Sequence, residues 1–274
     1  MSIPILFGAI KATLKTDPRQ RSLLREHLTH RPSELRAAIN DLLDRAKEGI
    51  LRRLGRRGLA IIVDNLDRIT NQKVPGKERT FAEQIFIDSW SLLSCLHCHL
   101  VYTMPPSVAN TPRGGFLRPL RIPMIPVAGR RGSGTGLARL TEILDRRARY
   151  AGLDPDAVFA TPELRGHLAS MSGGFERQLL DLLRSALSAQ GDLPIERPAV
   201  DYAVRRARDD LAQGLLTQGK RWPRLREIES ARPCELDSAD LDLLDTHYIL
   251  EYWDDDGYWY DVNPVLKLAR QFRA

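Results

Sequence analysis

The sequence predicts an α/β domain followed by an all-helical region and a C-terminal hairpin flanked by helices, and three observations lead to this prediction. Two short apolar runs, 59–63 and 99–104, have the β-branched content of buried parallel strands and enclose one helical pattern. Further helical patterns fill 137–216 with no strand signal between them. Near the end, two aromatic runs flank a turn of aspartates and a glycine.

The composition is that of a globular protein. Of the 274 residues, 28% are charged and 43% hydrophobic, which suits one or two domains. No apolar run approaches the roughly 20 residues of a membrane-spanning helix, and no signal-peptide layout opens the sequence, so we expect a cytoplasmic protein without a membrane partner. The three cysteines are too few for a disulfide framework.

The net charge of +6 hides an asymmetry. Residues 235–261 contain ten acidic residues and no Lys or Arg, which leaves 41 basic residues against 25 acidic ones, or +16, on the rest of the chain. The basic residues form short clusters, which can meet phosphates but on helices are more often solvated and paired with carboxylates.

The first half of the chain predicts a strand–helix–strand unit. Apolar residues recur at three- and four-residue spacing over 33–54, which predicts a helix capped by Ser33. The run 59–63 predicts a strand buried on both faces. A helical pattern over 81–95 and a second buried strand over 99–104 complete a right-handed crossover.

The second half is mainly helical. A loop rich in Gly, Pro and Arg is expected over 111–136, with a short strand at 121–127. Helical patterns then cover 137–151, 162–170, 174–190, 197–216, 223–231 and 237–246. Period-two aromatic residues predict a hairpin over 248–262 with an Asp-Gly turn, and a final helix is expected over 265–272.

The most informative motif is the segment 58–69, GLAIIVDNLDRI, in which a strand ends in acidic residues. Ligands of open α/β folds bind at the carboxyl ends of the strands. There Asp64 can hold Mg²⁺, directly or through water, while a second acid or amide orients an attacking water. The segment resembles the Walker B motif of P-loop ATPases, and its D-x-L-D-R form looks like that of KAP-like and STAND-class bacterial NTPases. An acidic loop after a core strand is the structural alternative.

The resemblance implies residue roles and cofactors. Asp64 is implied as the metal-associated acid, with ATP and Mg²⁺ as the bound molecules. The next position is usually Asp or Glu where hydrolysis is strong, but here it is Asn65. Asp67 is the only nearby carboxylate that can replace it, so Asn65 and Asp67 are the catalytic candidates.

Two further segments extend the resemblance. Thr103 ends the second strand, where AAA+ ATPases carry a sensor for the γ-phosphate. The segment 172–186, SGGFERQLLDLLRSA, predicts a helix capped by Ser172, with Arg177 in the first turn, from which a guanidinium can reach a phosphate. It resembles the sensor 2 helix of origin-initiator AAA+ ATPases, which implies that Arg177 contacts nucleotide. An arginine on a solvated helix is the alternative.

The sequence lacks one motif that P-loop ATPases share, the Walker A motif. A P-loop needs G-x-x-x-x-G-K-[ST], whose amides and lysine cradle phosphates, and nothing of this form precedes Asp64. The chain therefore looks like an ATPase that begins after its Walker A motif. Three explanations stay open: N-terminal shortening, a loop supplied by another chain, or loss of nucleotide binding. We expect ATP hydrolysis only where such a loop is supplied.

The C-terminal pattern of helices, hairpin and helix is typical of a winged helix-turn-helix domain. We therefore divide the chain into a partial P-loop core over 1–128, a helical lid over 129–218 and a winged helix over 219–274. DNA binding needs Lys and Arg against phosphates, whereas the helix 237–246 and the hairpin tip are acidic. DNA is therefore a disfavoured partner, and docking on a protein or self-assembly is expected.

A cysteine and histidine cluster invites a zinc interpretation. Cys95 and Cys98 enclose His97 at a spacing that can ligate zinc, but only the isolated Cys234 and His247 remain as a second pair. Buried thiols at a helix–strand junction are the expectation instead.

Together, these patterns favour an AAA+/STAND-like ATPase module that acts as a nucleotide-dependent switch or assembly factor. The alternative is a non-catalytic scaffold or interaction protein with a degenerate ATPase fold, such as a component of a bacterial defence or signalling complex. A DNA-binding regulator that uses the basic clusters at 52–57 or 205–208 is a third hypothesis.

Overall fold

The computed structural model describes residues 32–56, 58–69, 73–130, 136–215 and 221–273, and the chain divides into two compact units. The N-terminal unit is Met1–Val108 and the C-terminal unit is Ala109–Ala274. This division falls inside the predicted core of 1–128 and does not separate the predicted lid from the predicted winged helix. The described residues are rich in α-helix and include a parallel sheet, which is an α/β structure at a coarse level.

In the N-terminal unit, helices precede, separate and follow the two strands along the chain. Helix α1, Pro32–Ala46, continues through a π-helical turn, Lys47–Leu51. Because α1 already includes residue 32, Ser33 lies within the helix and the prediction that it caps the helix is wrong. The remaining elements are β1 (Ala60–Val63), α2 (Phe81–Glu83) with a π-helical turn (Gln84–Asp88), α3 (Trp90–Leu93), β2 (His99–Tyr102) and α4 (Pro106–Asn110), whose last two residues belong to the C-terminal unit.

The two strands pair in parallel, as the strand–helix–strand prediction requires. Ala60 is in register with His99, and Val63 with Tyr102. The prediction that both faces of the strands are buried is wrong. Ile62 and Val101 are register partners on one face and are 70% and 54% exposed. The other face of the sheet is half-buried. Among the described residues, the sheet has only these two strands, and only this second face is covered.

The C-terminal unit is a helical bundle joined to a hairpin. Its long helices begin and end close to the predicted positions. Its elements are α5 (Gly136–Tyr150), α6 (Pro162–Met171), α7 (Glu176–Gln190), α8 (Arg197–Leu215), α9 (Arg221–Ala231), α10 (Leu241–Asp245), β3 (Ile249–Asp254), β4 (Gly257–Val262) and α11 (Arg270–Arg273). One apolar cluster lies among α5, α6, α7 and α8, and a second lies among α9, α10, the hairpin and α11.

The hairpin is confirmed, with a shift at its tip. Asp254 pairs with Gly257, so the two loop residues are Asp255 and Asp256 rather than an Asp-Gly pair. The positive φ of +110° falls on Gly257, which has no Cβ to oppose it. The Asp254 carboxylate accepts a hydrogen bond from the Asp256 backbone N–H at 3.0 Å, which stabilises the turn.

Two other predictions need correction. The segment 121–127 is not a strand, although Met124 N donates to Glu251 O at 2.8 Å. Pro123 and Pro126 remove backbone donors that a ladder would need. The predicted last helix is broken into a 3₁₀ turn, Leu266–Leu268, and α11.

Candidate functional site

Asp64 and Thr103 lie at the carboxyl ends of the two parallel strands. Thr103 N donates to Val63 O at 3.2 Å, which extends the ladder by one residue beyond β2. The Thr103 hydroxyl accepts a hydrogen bond from Leu66 N at 3.0 Å. The structure therefore brings Thr103 against the loop that follows Asp64, as parallel pairing predicts.

The loop 64–68 is held by local hydrogen bonds. The Asp64 Oδ1 atom accepts from the Asn65 N–H at 2.8 Å, and Asn65 is left-handed with φ +65° and ψ +14°. Asparagine tolerates this region better than most residues. Asn65 thus has a conformational reason to stand at this position. A 3₁₀ turn, Leu66–Arg68, then carries Asp67, which is half-buried, whereas Asp64 is exposed.

The carboxylates of this loop do not form a complete metal site. Across the described ranges, no three His, Cys, Asp or Glu side chains are grouped to hold a metal ion. Mg²⁺ is commonly bound through one or two carboxylates, with waters and substrate phosphates as its other ligands. Asp64 fits that use, because its carboxylate is exposed and only Oδ1 is engaged by the neighbouring amide.

Arg177 belongs to the C-terminal unit. It is exposed in the first turn of α7, as predicted, and its guanidinium carbon lies 5.9 Å from the centre of the Phe175 ring. No carboxylate of the described residues forms an ion pair with it. Phe175 in turn stacks on His247, with ring centres 4.4 Å apart and planes 6° apart. Arg177 is therefore a solvent-facing cation beside an aromatic pair.

The residues before α7 have a packing role that the sequence did not reveal. Ser172 does not cap α7: it ends α6, donates to Ala169 O at 2.7 Å and accepts from Gly174 N at 3.1 Å. The residue before α7 is Phe175, whose side chain makes no capping bond. Gly174 has φ +82°, and a Cβ there would lie 1.8 Å from Ile125 O. Close backbone packing thus requires this glycine.

The acidic stretch is paired within the C-terminal unit. Asp240 is only 4% exposed at its side chain and lies 2.8 Å from Arg224 and 3.6 Å from Arg221. Arg221 also contacts Asp242 at 2.8 Å. Arg224 holds a pKa raised above its usual value, mainly by its hydrogen bond to Asp240. The segment predicted to be too acidic for DNA is thus partly neutralised by α9. Sequence reasoning missed this pairing, although Arg221 and Arg224 lie one turn apart on α9.

The cysteine cluster is a structural junction. Cys95 is exposed and Cys98 half-buried, so the expectation of two buried thiols is wrong. Asn40 of α1 donates to Cys95 O at 3.1 Å and accepts from His97 N at 2.9 Å. The His97 ring lies 2.8 Å from an Asp44 carboxylate oxygen, and this hydrogen bond lowers the pKa of Asp44. These contacts tie the loop before β2 to α1.

No protein-family model matches the chain, and no similar curated protein or solved structure is found. No helix among the described residues is long and apolar enough to cross a membrane.

Proposed function

We propose that the chain is a nucleotide-responsive module of the AAA+/STAND type, a switch or assembly factor that binds Mg²⁺-nucleotide phosphates at the carboxyl ends of β1 and β2. One observation supports this proposal above the others. Asp64 and Thr103 follow two adjacent parallel strands, and the Thr103 hydroxyl accepts a hydrogen bond from the loop 64–68 that begins with Asp64. The carboxyl edge of a parallel sheet is where α/β folds bind phosphorylated ligands.

The proposed roles follow from the contacts of each residue. Asp64 holds the metal through its exposed carboxylate, with water and phosphate as the other ligands. Thr103 fixes the loop by accepting from Leu66 N and keeps its hydroxyl proton free to donate to a phosphate oxygen. Asp67 and Asn65, on the same loop as Asp64, are the candidates to orient a water. Without a Walker A loop we expect weak binding and no turnover.

A paramagnetic titration of the full chain tests this proposal at weak affinity. Mn²⁺-ATP should broaden the amide resonances of residues 64–66 and 103 before others. Asp64→Asn should abolish that local broadening, because it removes the metal-binding charge. Asp41→Asn removes an equal charge from an exposed pair on α1 and should leave the broadening intact. Broadening that is spread over the surface, or that survives Asp64→Asn, refutes the site.

A second candidate, the non-catalytic scaffold, is favoured by the exposed apolar face of the sheet. Ile62 and Val101 lie side by side there and are more than half exposed. A scaffold should hold its partner equally with and without nucleotide, whereas a switch should change its affinity. Measuring retention of a co-purified partner with Mg²⁺-ATP, Mg²⁺-ADP and EDTA separates the two proposals.

A further inference from the structure

An apolar groove of about 150 Å³ lies in the C-terminal unit, outside the proposed nucleotide site. Its floor is made by side chains of α5 and α7 and of the loop after α5, among them Leu144, Ala148, Val158, Phe159 and Leu183. Four of these five are buried core residues, so the floor is part of the helical core.

The walls of the groove are fixed by hydrogen bonds. Ile195 N donates to Val158 O at 2.8 Å, and Ala160 N donates to Ile195 O at 3.0 Å, which ties the loop after α7 to the loop after α5. Arg165 of α6 binds Asp145 of α5 at 2.7 Å. The groove is therefore preformed, as small-molecule and side-chain binding sites usually are.

Leucines surround its opening. Leu153, Leu187 and Leu193 line the groove and remain 43%, 39% and 38% exposed. The opening therefore continues the apolar surface of the floor out to solvent.

The volume limits what can enter. A dry cavity of about 150 Å³ lined by Leu, Ile and Phe is known to bind benzene. This groove has nearly the same volume, and most of the residues that line it are apolar, although charged residues line it as well. It accommodates one aromatic ring or one large aliphatic side chain, and not a nucleotide.

The charges at the groove favour a ligand that carries an acidic group next to the inserted side chain. Arg165 is already paired with Asp145 and, at 3.5 Å, with Asp156. Arg147 also lines the groove, but it has no ion-pair partner among the residues that the structure describes. A carboxylate beside the inserted side chain would pair with Arg147 and steer the ligand.

We propose that this groove is a docking site for an acidic segment of another protein, which inserts one Phe or Leu side chain and places a carboxylate against Arg147. The proposal does not depend on nucleotide binding.

Capped tripeptides used as probes test it on the full chain. Amide shifts would be followed during titration with acetyl-Asp-Phe-Glu-amide, with acetyl-Asp-Ala-Glu-amide and with acetyl-Lys-Phe-Lys-amide. We expect millimolar binding of the first peptide at α5 and α7, about fivefold or more tighter than either of the others. Equal shifts from all three peptides, or none at the groove at about 10 mM, overturn the proposal.

Variants localise the effect. Arg147→Glu should reverse the preference between the acidic and basic peptides. Arg146→Glu is the matched control, because Arg146 is exposed beside it and pairs with Glu142 away from the groove, so the preference should persist. Leu187→Lys should weaken both Phe peptides, with an unchanged amide spectrum elsewhere as the check on folding. If the chain instead forms a dimer that Leu187→Lys dissociates, a second copy occupies the groove and the proposed foreign partner is ruled out.

Discussion

Single residues decide much of the local structure here, and Gly174 is the sharpest case. Its φ of +82° disfavours any side chain, and a Cβ would meet Ile125 O at 1.8 Å. We expect Gly174→Ala to lower the free energy of unfolding by about 3–5 kcal/mol, from backbone strain plus the clash. Gly166→Ala is the control: this glycine lies inside α6 with no atom within 4 Å of the added Cβ.

Urea unfolding of both variants distinguishes packing from a general intolerance of substitution. Gly166→Ala should stabilise the chain by about 0.5–1 kcal/mol, because alanine favours the helix. If Gly174→Ala unfolds at the urea concentration of the wild-type chain, the close approach to Ile125 is wrong.

Tyr252 provides a prediction of pH dependence. Its hydroxyl donates to Gly173 O at 2.6 Å, and burial raises its pKa well above the ordinary value of 10.0. The unfolded chain therefore releases this proton first as the pH rises. Stability is complete below pH 10 and falls above it, by up to about 1.4 kcal/mol per pH unit for each such tyrosine. Burial raises the pKa of Tyr260 in the same direction.

Stability measured by urea unfolding between about pH 9.5 and 11 checks this expectation. Tyr252→Phe should cost about 1–2 kcal/mol at neutral pH, since Gly173 O loses its donor, and should flatten the alkaline slope. Phe272→Leu destabilises a buried site without removing a phenol, so it should keep the wild-type slope. Equal slopes in Tyr252→Phe and the wild type would contradict the assignment.

At the scale of elements, the ion pairs between α9 and the segment before α10 should contribute measurably to the free energy of unfolding. Arg224→Gln leaves the buried Asp240 with Arg221 alone. We expect a loss of about 2 kcal/mol, less than for a fully buried pair because Arg224 is one third exposed at its side chain. Arg184→Gln breaks an exposed pair with Asp181 and should change stability by under about 0.5 kcal/mol. Thermal unfolding of the two variants measures the difference.

Periodicity predicted the elements well where each one buries a single face. The helices between residues 136 and 231 and the aromatic hairpin follow the predicted ranges because their apolar stripes face clusters within one unit. The helix predicted over 237–246 is shorter, a 3₁₀ turn followed by Leu241–Asp245. The parallel pairing of β1 with β2 also agrees with prediction. The burial of β1 differs from the prediction. An apolar run such as 59–63 indicates a strand, but it does not show whether other elements cover both faces of that strand.

The candidate site could be predicted only in part. Placing Asp64 beside Thr103 follows from parallel strands, so it could be read from the order of elements. Sequence alone could not predict the left-handed conformation of Asn65 or the role of Ser172 at the end of α6. Both depend on backbone angles and on contacts between residues distant in sequence. Arg177 was placed correctly in the first turn of its helix, and its contact with nucleotide stays a prediction.

At the scale of the whole molecule, the described residues of the two units differ in how much apolar surface they bury. Among the described residues, the buried apolar side chains of the N-terminal unit are Leu43, Ala82, Phe86 and Val108. The continuous apolar clusters formed by the described residues lie in the C-terminal unit. Because burial of apolar surface is the main favourable term in folding, the N-terminal unit should be the less stable of the two.

The tryptophans report on each unit separately. Trp90 lies in the N-terminal unit, while Trp222, Trp253 and Trp259 lie in the C-terminal unit. In a variant that keeps only Trp90, fluorescence should change at a lower urea concentration than in Trp90→Phe, which keeps the other three. Two separated transitions mean that the chain is not two-state and that a single unfolding free energy is not defined for it. If the transitions coincide, the prediction is wrong, and apolar burial does not decide which unit unfolds first.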